Sequence, residues 1–332
     1  MENKIEKQNP EFNLEILNKL GSKHIELMSS LKENINNFRS DKDIYDFINN
    51  FNIENDLEIS FPIGISINHI IAHNSYHENN LINLSEGDLI TIDVGFIEEG
   101  NIIDAARTFS YHNKEEPKCI NDCESYVNRI EDYIREQLNK EKKVNIQQIS
   151  KLTEILVKTG GYTGLDFLGG HDVRLNKVHG DKLILNKPLS SLPKQAEQFI
   201  NREENLGYNE MFCIEIFMSE RFTQGQMIKS TKIPVTHYEL NDKLDLNKLN
   251  SQEKKVYDEL SEMTNNLAYY YQIHQDISKK DKKILEKLIK RGYIIAHEAL
   301  EFKTGTGSLV KFVQHENTFI ITKEGELINL TR

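Results

Sequence analysis

The stretch Leu89-Ile-Thr-Ile-Asp93-Val-Gly-Phe-Ile-Glu98-Glu99-Gly100-Asn101-Ile-Ile-Asp104-Ala-Ala-Arg-Thr-Phe-Ser-Tyr111 reads as two β-strands around a turn at Glu98–Asn101. Apolar and β-branched residues fill both arms, which suits extended chain, and the central glycine suits a turn. One aspartate interrupts each arm, Asp93 before Val94-Gly95 and Asp104 after Ile103. A turn centred between Glu98 and Glu99 sets Asp93 opposite Asp104, with Cβ atoms roughly 4.5–5.5 Å apart. Carboxylates that close repel unless protonated or bridged by a cation. A pair of divalent ions at roughly 3.5–4 Å meets that need. The hairpin alone equally allows a turn aspartate plus one hydrogen-bonded aspartate.

Outward from the hairpin, both helical and extended periods are visible. Leu14, Ile16, Leu17, Leu20, Ile25, Leu27, Met28 and Leu31 predict one or two helices over 13–38, and Ile44, Phe47 and Ile48 another over 41–51. Residues 61–73 are apolar, with Pro62 and Gly64 as breakers, and Ser85-Glu86-Gly87-Asp88 signals a turn. Amphipathic helices are expected over 123–138 and 145–157, the second stopping at Gly160-Gly161. Short strands follow near His171, over 182–186 and over 211–218. The segment of about 232–299 is charged, and its spacing (Val256, Leu260, Met263, Leu267; Ile284, Leu285, Leu288, Ile289) predicts a helical insertion. A β-rich stretch, 308–330, closes the chain. Strand pairs mixed with helices predict an α+β fold with a largely antiparallel sheet.

The 332 residues suffice for a substantial core. A net charge of −11 argues against a surface that attracts nucleic acid or anionic lipid. Cys119, Cys123 and Cys213 read as reduced thiols. The polar run Glu2–Asn9 lacks the apolar core of a secretory signal, and no run of ~20 apolar residues occurs. A cytoplasmic protein is expected.

Three further segments bear on the aspartates. Gly169-Gly170-His171 places an imidazole after two glycines, and Val178-His179-Gly180 a second one eight positions on. Glu215 interrupts the apolar strand 211–218, and Glu316 interrupts 312–321. A lone histidine among 11 is unremarkable, but glutamates inside apolar strands need a partner. Oxygen donors with one imidazole suit a paired divalent site. His315 alternates to the other strand face from Glu316.

The ordered set Asp93, Asp104, His171, Glu215, Glu316 resembles the dinuclear centre of the pita-bread (creatinase/aminopeptidase-like) metallopeptidases. Phe61-Pro62-Ile63-Gly64 with Ala72-His73, Gly170-His171 with Val178-His179, and Gln314-His315-Glu316-Asn317-Thr318 are most similar to the type 2 methionine aminopeptidases. So is the gap of about a hundred positions between Glu215 and Glu316. The resemblance implies one catalytic domain over 1–332, with 232–299 as its inserted helical subdomain. It implies two divalent ions (Co, Mn, Fe or Zn). Asp93 would chelate one, Asp104 and Glu316 would bridge both, and His171 and Glu215 would complete the second. Glu215 would also be the general base, His179 would polarise the scissile carbonyl, and His73 would steady the leaving group. Phe61, Val178, Phe217 and Leu300 would line an apolar pocket for methionine. Ile63, Ile216, Met218 and His297 depart from the family pattern, the last three close to the expected pocket wall. The implied substrates are nascent polypeptide N-termini, met at the ribosome, with no nucleic-acid or membrane partner and a monomeric state. A non-catalytic pita-bread binding protein would lack ligands that are present here. An Xaa-Pro peptidase would need more than the sixty residues before Phe61.

Overall fold

The computed structural model describes residues 11–192, 205–278 and 281–332; the run Glu2–Asn9 lies outside them. Helix α1 (Leu14–Asn34) starts where the Asn13 side chain accepts the Glu15 and Ile16 amides, and α2 (Asp41–Glu54) where Ser40 caps Asp43. Strands β1 (Glu58–Ile59), β2 (Gly64–Ile67), β3 (Ile70–Ala72), β4 (Leu89–Glu98) and β5 (Asn101–Ser110) follow. Next come α3 (Lys118–Glu141), β6 (Val144–Asn145), α4 (Ile146–Thr159), β7 (Gly169–Val173), β8 (Leu183–Leu185), β9 (Asn205–Leu206) and β10 (Glu210–Ser219). The remainder comprises β11 (Gly225–Lys229), β12 (His237–Leu240), α5 (Ser251–Thr264), β13 (Tyr269–Tyr270), α6 (Ile273–Asp276), α7 (Lys282–Lys290) and β14 (Ile294–His297). β15 (Leu300–Thr304), β16 (Phe312–Ile321) and β17 (Leu327–Asn329) end it.

The main sheet runs β1-β4-β5-β16-β10-β7-β8, with β2 added on β4 and β17 on β16, and its pairings are antiparallel. The helices cover one face. Leu17, Leu20, Leu27 and Leu31 of α1 pack with Ile90, Ile92, Val94 and Phe96 of β4. Val127, Ile130 and Ile134 of α3 pack with Phe212, Ile214 and Ile216 of β10 and Phe319 of β16. Strand alternation then sends Asp93, Glu215 and Glu316 to the opposite face. The α+β, largely antiparallel expectation holds.

Two expectations are corrected here. The β4–β5 hairpin turns at Glu99-Gly100, both left-handed (φ 49° and 77°), which is the two-residue turn that matches strand twist. Asp93 therefore pairs with Ala106 and Asp104 with Gly95. The aspartates share a face as diagonal neighbours instead of standing opposite. The segment 232–299 is not simply helical either. β12 lies between β13 and β14 in a small antiparallel sheet, and α5 and α7 pack on it through Val256, Leu260, Leu285 and Leu288. Met263, expected inward, is exposed. The helical period is real in α5 and α7, but it hides the short strands that flank them.

Candidate metal centre and substrate cleft

The centre forms where four strands bring acidic side chains to the face left bare by the helices. β10 and β16 pair so that Glu215 stands directly opposite Glu316. β5 joins β16 at His315–Arg107, and threonine hydroxyls seal the seam beyond that pair. Thr108 Oγ1 donates to the Gln314 carbonyl and accepts the Gln314 amide; Thr318 Oγ1 does the same for Asp104. These inserted hydroxyls satisfy backbone groups a continuous ladder would pair. On β7, His171 Nε2 lies 3.5 Å from Asp104 Oδ2 and 3.9 Å from Glu316 Oε1. Its Nδ1 faces the Asp172 carbonyl at 3.2 Å, so a proton there leaves Nε2 free as a donor to a cation. Gly170 permits the approach, because a Cβ there would meet the Cys213 carbonyl oxygen at 1.9 Å.

Two overlapping groups of potential ligand atoms result, each within 4.8 Å of one another: Asp104, His171, Cys213 and Glu316, and Asp93, Glu215 and Glu316. The geometry thus sets Glu215 beside Asp93, whereas the family resemblance sets it with His171. Burial drives up the proton affinity of all four carboxylates, and their mutual repulsion adds to it for Asp93, Glu215 and Glu316. Asp104 is pushed up to about 7. Asp93 Oδ1, Asp104 Oδ1 and Glu316 Oε1 are buried without a hydrogen-bond partner. Crowded carboxylates with unpaired oxygens, set beside a free imidazole nitrogen, are what divalent cations would satisfy. The donor set fits divalent metal.

A cavity of about 690 Å³ opens beside the centre, and Phe61, Val178, Phe217, His73 and His179 are among the residues that line it. His179 packs edge-on against His171, with ring centres 4.3 Å apart. Burial holds both cleft histidines neutral, His73 lowered to about 4 and His179 to about 3, with neighbouring imidazoles adding to the effect. His73 adopts φ 60°, a strained backbone for a non-glycine residue at the edge of a cleft. Leu300 does not line the cavity. β15 carries it into the cluster of Ile71, Phe217 and Phe302, where it supports Phe217. Ile216 and Met218 also leave the pocket wall, because alternation along β10 turns them into the helix-side core. His297 does reach the cleft, 5.2 Å from the His73 ring centre, and its Nε2 faces Glu239 Oε2 at 3.2 Å. His315 sits on the far face, near half-buried Arg107.

Sequence reasoning missed Gln314 and Cys213, and also His237 and Glu239, which line the cavity. Gln314 Nε2 donates to Glu215 Oε1 at 2.7 Å and reaches Asp93 Oδ2 at 3.5 Å. Alternation from Glu316 could have found it.

The family model for metallopeptidase family M24 matches residues 15–323. The chain is 26% identical over 288 residues to the methionine aminopeptidase of Thermococcus onnurineus, covering 86% of this chain and 88% of that one. It is 27% identical over 203 residues to methionine aminopeptidase 2 of Clavispora lusitaniae, covering 59% of this chain and 42% of that one. The solved structure of a thermophilic Arx1 superposes with a TM-score of 0.67 at 14% identity, covering 96% and 91% of the two chains. That likeness is one of fold, the pita-bread fold expected above.

Proposed function

The chain belongs to metallopeptidase family M24, and we propose that it is a type 2 methionine aminopeptidase that uses a dinuclear divalent metal centre. The observation that carries the reading is the meeting of Asp104, His171 and Glu316, buried, with Asp93 and Glu215, half-buried, three carboxylate oxygens unpaired, beside a cavity that Phe61, Val178 and Phe217 help to line. In this reading residues 232–299 are an inserted subdomain of one catalytic domain. Its substrates are nascent polypeptide N-termini in the cytoplasm, and the protein acts as a monomer without nucleic-acid or membrane partners. Among the described residues no helix is long and apolar enough to cross a membrane.

Asp93, Asp104, His171, Glu215 and Glu316 would hold the ions. When bound, the metal pair supplies Lewis acidity and brings the pKa of a water near neutrality. Glu215, with Oε1 held by Gln314, takes a proton from the attacking water at Oε2 and passes it to the leaving amine. Neutral His179 turns an N–H toward the oxygen that gains charge as the scissile carbonyl is attacked. His73 steadies the scissile amide nitrogen. Phe61, Val178 and Phe217 exclude water and receive the unbranched thioether.

The test is cleavage of Met-Ala-Ser by chelator-treated protein and by protein reloaded with Mn²⁺, Co²⁺ or Fe²⁺. Activity should vanish and return, and Met-Phe-Ser should be cut far more slowly, because the 232–299 segment walls the cavity through Leu246, Tyr257 and Leu267 and a bulky second residue would clash with it. Undiminished cleavage by metal-free protein would sink the mechanism. Equal cleavage of the two peptides would reject the wall. Faster cleavage of Xaa-Pro peptides lacking Met would reassign the substrate.

A further inference from the structure

Of the three cysteines, Cys119 and Cys123 of α3 face the helix-side core. Cys213 differs. It lies on β10 two residues before Glu215, on the same strand face, and pairs across the sheet with Thr318. It is fully buried. Its Sγ has long, weak polar contacts, 3.6 Å to the Asp104 carbonyl and 3.5 Å to Thr318 Oγ1, and it also faces the Glu316 carboxylate. The same sulfur lies within 4.8 Å of ligand atoms of Asp104, His171 and Glu316. Within this group, Asp104 and Glu316 each keep one carboxylate oxygen, Oδ1 and Oε1, buried without a hydrogen-bond partner.

The two donor groups therefore differ in chemistry. Asp93, Glu215 and Glu316 offer only oxygen, whereas Asp104, His171, Cys213 and Glu316 offer oxygen, nitrogen and sulfur. Glu316 belongs to both. We propose that Cys213 is a sulfur ligand to one of the two ions, so that the centre has a hard, all-oxygen position and a softer position joined through Glu316. This rests on the metal-centre reading above and sharpens it. Thiolate ligands select zinc and other softer cations, and carboxylate-only positions suit manganese. Ligation replaces the S–H bond with an S–metal bond, and the proton leaves to bulk water through the cleft. The centre would then hold two different metals more readily than two of one kind.

The experiment uses the full chain, stripped by chelation and reloaded without oxygen. With Zn²⁺, X-ray absorption should find a sulfur scatterer at ~2.3 Å beside nitrogen and oxygen at ~2.0–2.2 Å. With Co²⁺, a sulfur-to-cobalt charge-transfer band should appear in the near ultraviolet. Cys213→Ser should lose both signals and keep the visible cobalt bands, whereas Cys119→Ser and Cys123→Ser should keep all of them. The Cd²⁺ dissociation constant should rise at least ~10-fold in Cys213→Ser, since losing a direct ligand should cost no less than losing a hydrogen-bond partner behind one. Mn²⁺ affinity should move far less. If the serine variant fails to fold, Cys213→Ala replaces it, and the wild-type zinc spectrum decides by itself. A wild-type protein that holds zinc or cobalt with only nitrogen and oxygen around it overturns the sulfur ligand and leaves the metal centre standing. A protein that takes up neither metal overturns both.

Discussion

Gly170→Ala perturbs the centre without replacing any ligand side chain. The new Cβ would stand 1.9 Å from the Cys213 carbonyl oxygen and 2.8 Å from its carbon, both backbone atoms of β10. Ordinary contact begins near 3.4 Å, so β7 must retreat by about 1.5 Å in a close-packed interior. The β7–β10 ladder spans only Met211–Val173 and Phe212–Asp172, and strands pair at ~4.8 Å. A retreat of that size breaks these bonds locally. It also takes His171 Nε2 beyond its present 3.5 Å from Asp104 Oδ2. A metal–nitrogen bond of ~2.0–2.1 Å leaves no slack for such a shift. Overpacking of this kind costs ~1–3 kcal/mol, and a 1 Å misplacement near the chemistry can cost ~10²-fold in rate. Gly170→Ala should therefore unfold at lower denaturant, lose most metal-induced stabilisation and drop kcat/KM by ~10² or more. The control is Gly161→Ala. Unlike Gly170 it sits at a left-handed φ of 85°, with nothing within 4 Å of a new Cβ, so it should lose ~1–2 kcal/mol through backbone strain alone and keep wild-type metal affinity. Denaturant titrations with and without Mn²⁺, and kinetics on Met-Ala-Ser, read both. A Gly170→Ala protein with wild-type metal affinity and turnover would refute the idea that this glycine sets the position of His171.

Other expectations follow from single residues. Asp104→Ala and Glu316→Ala should lose metal and activity together, measured by metal analysis and kinetics. His73→Ala should keep its metal and turn over ~10²–10⁴-fold more slowly; the reverse pattern would overturn the assignment. His24 is wholly buried, with Nε2 facing the Ala105 carbonyl at 3.1 Å, and burial lowers it to about 3. The unfolded chain takes up this proton first, so the stability His24 contributes is whole above pH ~6.5 and is lost as pH falls toward 3. Between pH 7 and pH 5 that is about 2 kcal/mol. Denaturant unfolding of His24→Leu should show a loss over this interval smaller by that amount, and an unchanged slope would reject the buried neutral imidazole.

The donors were legible because each breaks an apolar strand with a charge, and burial gives such a charge no cheap alternative to a partner. Their faces were legible too, since alternation along β10 and β16 separates Glu215 and Glu316 from Ile216 and His315. Register was not. It turned on whether Glu99, a non-glycine residue, would adopt a left-handed backbone, and nothing in its side chain announces that. The strands of the 232–299 segment were hidden for a related reason. His237–Leu240 and Ile294–His297 are short, far apart in sequence, and pair with each other, so neither carries a local period long enough to compete with α5 and α7. Alternation, applied fully, would have corrected two further readings, because it places Ile216 and Met218 with Phe212 and Ile214 against α3. It would also have put Gln314 and Cys213 on the face of the carboxylates. Neither residue carries a charge, so neither looked costly to bury. The demand for a partner shows in Glu215, whose oxygen Gln314 holds, and in Asp104 and Glu316, which share a ligand group with Cys213 and each keep one oxygen unpaired. A buried charge marks a site from sequence alone. The neutral groups that finish the site become visible only when the strand across the sheet is known.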